Sequence, residues 1–195
     1  MLIRRAQPSL YRCAGMAQIT GTREPARLPA EDRLSELVKR RFVRQQGLAD
    51  PAPASCAYLY PALMFQPRLL TGIVLVGIVL QSAPIFLVLA GILWWNVLVP
   101  RHNPFDALYN RTIAGPRHLP PLGSAPAPRR FAQGIAGTIL AGAGLALVAG
   151  IPALAWFLEG LMLVALAALL LGRFCIGSYL YHRLRGKAAF AKPLI

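Results

Sequence analysis

Few residues in this chain are of a type that does chemistry, and their spacing narrows them further. Cys13, Cys56 and Cys175 are its only cysteines. None has a partner at the spacing of a metal site or a Cys-x-x-Cys pair, so local sequence builds neither a zinc centre nor a dithiol. His102, His118 and His182 are scattered through basic segments, with no acid placed to orient them. Gly134, Gly137, Gly142 and Gly144 lie inside an apolar run rather than in a phosphate-binding loop. Two candidates remain. Glu159 is an isolated acid within an apolar stretch, which points to proton transfer or a partner contact. Its bland reading is a carboxylate that reaches the outer surface or bonds a neighbouring helix. Cys175 stands beside Arg173 at the end of the last apolar run, a candidate functional thiol whose alternatives are palmitoylation or plain packing. No catalytic, metal-binding or cofactor-binding set assembles, so an enzyme is the less expected reading and no cofactor is expected.

The elements that must position these residues follow from composition. Hydrophobic residues make up 56% of the 195 and charged residues 14%, against about 25% charged in an average soluble domain. The formal net charge of +14 would suit a nucleic-acid binder, but the placement of the charge argues otherwise. Residues 69–100 contain no Lys, Arg, Asp or Glu, and residues 131–172 contain only Glu159. A basic residue at the centre of a spanning helix costs roughly 2.5–3.5 kcal/mol. The two charge-free runs therefore read as membrane segments, and no nucleic-acid partner is expected.

These runs predict an all-α polytopic membrane protein with four transmembrane helices arranged as two hairpins. The second run divides at Gly150-Ile151-Pro152, since Gly ends helices and Pro starts them, giving spans at about 131–149 and 153–172. The first divides at Gln81-Ser82-Ala83-Pro84, giving spans at about 67–81 and 84–99. Both halves of that first hairpin are short of the roughly 20 residues a span needs. One long kinked span over the same residues is the alternative. Four crossings place all three basic regions on one face, which the positive-inside rule assigns to the cytoplasm. Both termini are then cytoplasmic.

Outside the spans, residues 1–64 form a basic arm, 100–130 a cytoplasmic loop and 183–195 a basic tail. Met16 is an alternative start. Within the arm, about 30–46 reads as an amphipathic helix with Leu34, Leu37, Val38, Phe42 and Val43 on one face and Lys39, Arg40, Arg41 and Arg44 around it. Such a helix lies on anionic lipid of the cytoplasmic leaflet or packs on its own membrane domain. In the loop, Asn103-Pro104-Phe105-Asp106 is a helix start, predicting a short interfacial helix at about 104–112 that presents Phe105, Leu108 and Tyr109 together, followed by extended chain. Trp94, Trp95, Phe105, Tyr109, Arg130, Tyr179 and Tyr181 are expected at the cytoplasmic interface and Trp156 at the opposite one.

Gly134, Thr138, Gly142, Ala146 and Gly150 recur every four residues, and Gly160, Ala168 and Gly172 repeat the pattern in part. Small residues allow helices to approach closely in lipid. This predicts packing within the chain, or a homo-oligomer or larger membrane complex.

Three phrases resemble the bacterial membrane family of the domain of unknown function DUF4395: Asn103-Pro104-Phe105 ahead of a short helix, Arg130-Phe131-Ala132-Gln133 opening a span, and Cys175-Ile176-Gly177-Ser178-Tyr179-Leu180-Tyr181 after the last. The resemblance covers about 65–182 and implies a four-helix membrane domain, with association in some members with thioredoxin-like or sulfurtransferase proteins. Members often carry Cys-x-Gly-Cys at the last phrase. Ser178 stands in place of the second cysteine, which weakens any dithiol role. Three functions compete: a non-enzymatic scaffold or accessory subunit, a thiol- or sulfur-linked redox component using Cys175, and a small proton-coupled transporter using Glu159.

Overall fold

The computed structural model describes residues 30–48 and 53–186. The readings made for residues 1–29 and for the tail beyond 186, Met16 and Cys13 among them, lie outside the described residues. Within them the chain is all-α, with seven α-helices in the order α1 (Ala30–Gln45), α2 (Pro53–Leu80), α3 (Ala83–Leu98), α4 (Pro104–Tyr109), α5 (Ala127–Val148), α6 (Pro152–Leu170) and α7 (Ile176–Leu184). A π-helical turn, Asn110–Ala114, continues α4. Three helices are long and apolar enough to cross a membrane: Tyr58–Leu80 within α2, then α5 and α6. Helix α3 is apolar but shorter, at 16 residues, or about 24 Å at helical rise.

Helix α2 corrects the sequence reading. Pro67 was expected to open a short span, but it lies inside a helix of 28 residues, as does Pro61. The segment before Arg68 is rich in Ala, Leu and Met, which are strong helix formers, and a single exposed arginine does not end a helix when its stem can carry the charge outward. Each proline removes one backbone bond. The Thr71 hydroxyl donates to the Pro67 carbonyl at 2.8 Å, a back-bond to the preceding turn.

The two tight turns share one geometry. At the end of α5, Gly150 has φ 68°, Ile151 N–H donates to Ala146 O at 2.9 Å and Gly150 N–H to Leu147 O at 3.2 Å. This is the Schellman ending, in which the left-handed residue is ordinarily glycine. At the end of α2 the same pair of bonds runs from Ser82 to Gly77 (3.0 Å) and from Gln81 to Ile78 (3.2 Å), but the left-handed residue is Gln81, at φ 45°. Its side chain explains its presence, as described below.

Helices α3 and α5 make the most extensive contact in the chain. Phe86, Leu89 and Leu93 of α3 meet Leu140 and Ala143 of α5, and Met162 and Leu166 of α6 close the same core. The closest approaches fall at Gly137, where an added Cβ would lie 3.0 Å from the Trp94 ring, and at Gly144, where it would lie 2.8 Å from Leu87. The row Gly134, Thr138, Gly142, Ala146 and Gly150 does not form one packed seam. Gly142 faces Leu158 and Ala146 is buried, but Thr138 is exposed and Gly150 has open space around it. A repeat of four drifts around a helix of 3.6 residues per turn, so the row winds from one neighbour to another.

Helix α1 is tied down by its last turns only. Phe42 and Val43 are buried with Leu63 and Met64 of α2, and the Phe42 and Tyr60 rings meet edge-on at 5.6 Å. Leu34 and Leu37, expected on the same apolar face, are 57% and 55% exposed. Of the apolar group expected on α4, Phe105 and Tyr109 are buried while Leu108 turns outward.

Glycine positions separate these packing roles. Gly144→Ala is expected to lower thermal stability in detergent by about 1–3 kcal/mol through overpacking. Gly134→Ala meets only Val97 at 3.6 Å, an ordinary contact, and should leave the melting temperature unchanged. Equal effects of the two substitutions would contradict this assignment.

Candidate functional site

Three clusters hold most of the bonded buried polar side chains of the described residues. Ala62, Gln66, Leu70 and Val74 form a buried row along α2, and Gln133 shares the buried face of Gly137, Leu140 and Gly144 on α5.

The first and largest cluster joins the loop to the helices. Asn103 caps α4, its Oδ1 accepting from Phe105 N–H at 3.0 Å and Asp106 N–H at 3.4 Å. Its Nδ2 donates to Asp106 Oδ2 at 2.9 Å. Arg129 of α5 grips the same carboxylate with two nitrogens, Nη1 to Oδ2 at 3.0 Å and Nη2 to Oδ1 at 2.6 Å. Nη2 also donates to Gln66 Oε1 at 2.7 Å, which accepts from Gln133 Nε2 at 2.9 Å. Asp106 and Arg129 are each only 6% exposed. Two-pronged geometry with further hydrogen bonds is what lets an ion pair persist away from water.

The second cluster fastens α1 to the joint between α6 and α7. Gln45 Oε1 accepts from Cys175 N–H at 3.0 Å and Gln45 Nε2 donates to Cys175 O at 3.2 Å. His182 Nε2 lies 3.0 Å from Gln45 O. Cys175 does not sit at the end of the last span, as the sequence suggested. Helix α6 stops at Leu170, the chain turns through Arg173 at φ 50°, and Cys175 is the N-cap of α7. Ser178 is fully buried in the first turn of α7, its hydroxyl 3.4 Å from Pro128 O. Gly177 allows α7 to touch α5, since a Cβ there would stand 2.7 Å from Ala132 Cα.

The third pairs Glu159 of α6 with the turn between α2 and α3. Glu159 is 1% exposed, and Gln81 Nε2 lies 3.2 and 3.4 Å from its two oxygens while also donating to Ile78 O at 2.8 Å. The structure thus places Glu159 and Cys175 toward opposite ends of α6 and does not bring them together.

Among the interfacial residues, Trp94 and Trp95 are exposed, and Trp95 Nε1 donates to His102 O at 3.2 Å. Phe131, next to Arg130, meets Tyr181 at 5.7 Å, Phe174 meets Tyr179 at 5.4 Å, and Arg185 stacks over Tyr181 at 5.3 Å. Burial pushes the Tyr109 phenol above its ordinary range, with Arg117 pulling it partly back. Among the described residues no group of three or more His, Cys, Asp or Glu converges as a metal site.

A partly open cavity of about 280 Å³ lies between these clusters. Leu70, Leu93, Ala136, Ile139, Met162 and Leu166 form much of its wall, while Gln46, Gln66, Arg129, Gln133 and Cys175 supply its polar end. Sequence reasoning missed Gln66, Arg129 and Gln133. A usable signal was present, since glutamines at buried-face positions of apolar helices require internal partners. The partners themselves are far apart in sequence and no local spacing reveals them.

Two predictions follow from these geometries. Arg129→Met leaves Asp106 buried without its cation and should cost about 3–5 kcal/mol, whereas the double variant Asp106→Leu with Arg129→Met should recover most of that loss. Thermal unfolding of the three proteins in detergent measures it, and a double variant no more stable than the single one would refute the pairing. Asn96 is 0% exposed and neither atom of its amide has a partner among the described residues. An orphaned buried amide costs about 1–3 kcal/mol, so Asn96→Leu should raise the melting temperature, and a fall would contradict the assignment.

No curated protein and no solved structure matches this chain. A family model does, over residues 61–185, which take in the first and third polar clusters and most of the cavity wall but not Phe42, Gln45 or Gln46, and the chain belongs to that family, described as Domain of unknown function (DUF4395).

Proposed function

We propose that this protein is a non-enzymatic scaffold or accessory subunit of a membrane assembly in the bacterial inner membrane. It crosses the bilayer four times and keeps both termini in the cytoplasm. The carrying observation is how its buried polar groups are used. Asp106 is held by Arg129 and Asn103, the backbone of Cys175 by Gln45, and Glu159 by Gln81. The bonds from Arg129, Gln45 and Gln81 each join one element of the chain to another, and the one from Asn103 closes the cap of α4, which is a structural use rather than a catalytic one. The distribution of basic residues supports the four crossings, with α3 as the short, tilted or locally thinning member. Leu34 and Leu37 stand exposed on α1 with Lys39 and Arg40 near them. This basic amphipathic surface suits anionic lipid at the cytoplasmic face, or a partner subunit resting there.

One observation favours a second reading. Cys175 lines the cavity and caps α7, so a thiol-linked role has a place to act. The two separate by experiment. Purification from native membranes in mild detergent should recover a recurring partner in fixed ratio, or a homo-oligomer. A strictly monomeric protein with no recurring partner would sink the scaffold reading. Loss of function on Cys175→Ser, with assembly intact, would replace it with the thiol reading.

A further inference from the structure

The cavity has the dimensions and polarity of a slot for a single hydrocarbon chain. Its wall runs along α5 from Arg129 to Ile139 and along α6 from Leu161 to Leu169, which is about 12–15 Å at helical rise. Spread over that length, 280 Å³ leaves a cross-section close to that of one extended alkyl chain. For comparison, an apolar cavity of about 150 Å³ already takes up benzene. The lining changes character along its length. Ala136, Ile139, Met162 and Leu166 make one end wholly apolar, and Arg129, Gln133, Gln46 and Cys175 gather at the other. Several lining residues are exposed at the surface of the helices: Leu161, Val164, Ile176 and Leu180. In a bilayer these aliphatic side chains face acyl chains, so the slot is open to lipid from the side.

Charge at the polar end selects the head. Of the acids whose side chains are described, Glu36 is paired with Lys39 and Asp106 with Arg129, while Glu159 lies with Gln81 away from this end. The nearby basic groups are in excess. Arg173 stacks over the Tyr60 ring at 5.9 Å, that ring meets Phe42, and Phe42 lines the cavity. Among the described residues, Arg41 Nη1 and Arg130 Nε are buried without a hydrogen-bond partner. Buried guanidinium donors without acceptors are costly, and these two residues stand next in sequence to Phe42 and Arg129, which line the cavity.

We propose that the cavity is a binding site for one acyl chain of an anionic phospholipid of the cytoplasmic leaflet, its phosphate lying toward Arg173 and its chain between α2, α5 and α6. The proposal rests on the reading that the chain is embedded in a bilayer, and it does not depend on the scaffold role.

The test uses the full chain with Cys13→Ser and Cys56→Ser, so that Cys175 is the sole thiol and reports on the cavity. The protein is purified in mild detergent and mixed with dioleoylphosphatidylglycerol, dioleoylphosphatidylcholine or sodium oleate at equal mole fraction. The rate of Cys175 modification by N-ethylmaleimide is then followed by mass. Phosphatidylglycerol is expected to slow the reaction about tenfold once it exceeds its dissociation constant by that factor, and native mass spectrometry should find one such lipid retained per chain. Ala165→Trp fills the slot, and Ile139→Phe does so independently at the deep end. Both should abolish the lipid dependence and the retained lipid. Equal protection by phosphatidylcholine, or by oleate, overturns the assignment to an anionic phospholipid. Protection that survives in folded Ala165→Trp and Ile139→Phe overturns the site. Recovery of the chain outside the membrane fraction would instead overturn the embedded reading itself.

Discussion

A carboxylate and a guanidinium removed from water are stable together and costly apart, and the pair Asp106–Arg129 imposes that condition on the end of the protein where α2, α4 and α5 meet. Asp106 begins the short helix after α3, and Arg129 opens α5. Gln66 and Gln133 extend the bond set into α2 and across α5. The loop between α3 and α5 cannot swing away without leaving a buried charge unmatched. Asn110 secures the same loop further along, accepting from Leu122 N–H at 2.7 Å and donating to Leu122 O at 3.1 Å. A segment rich in proline is thereby held against the helices without a core of its own.

The apolar packing and the polar bonds divide the work by depth. Lipid supplies no hydrophobic drive between helices, so close approach and hydrogen bonds must hold them. Close approach dominates where α3 meets α5, at Gly137 and Gly144. Hydrogen bonds dominate at the ends, where Gln81 meets Glu159 and Gln45 meets Cys175. Where these packings leave space, between α2, α5, α6 and α7, the cavity appears.

Much of the helical layout was legible because charge exclusion and Gly-Pro punctuation act locally. The turn at Gly150 and the Asn103 cap are both set by adjacent residues, and both stand in the structure. The start of α2 was misread because Arg68 bounds the charge-free run and Pro67 resembles a helix start. For α1, periodicity gives the apolar stripe but not how far along it the neighbouring helix reaches. The polar clusters were the least legible. Gln45 and Cys175 are 130 positions apart, and Gln81 and Glu159 are 78 apart. Pairing at such distance depends on how helices cross, which no single segment encodes. The joint at Leu171–Phe174 was hidden for a related reason: Arg173 takes a left-handed conformation that its residue type does not announce.

Gln81 illustrates how a local compromise can set a global register. A glycine in its place would follow the backbone with less strain, but it would have no amide to lay across Ile78 O and the Glu159 carboxylate. The chain therefore keeps a backbone at odds with its residue at one turn, and that turn indexes the first hairpin against the second. Sliding α6 by one residue along its axis, about 1.5 Å, would carry Glu159 off the Gln81 amide and leave a carboxylate facing hydrocarbon. The contact acts as a ratchet tooth: it adds little to the depth of the packing minimum but makes the neighbouring registers prohibitive.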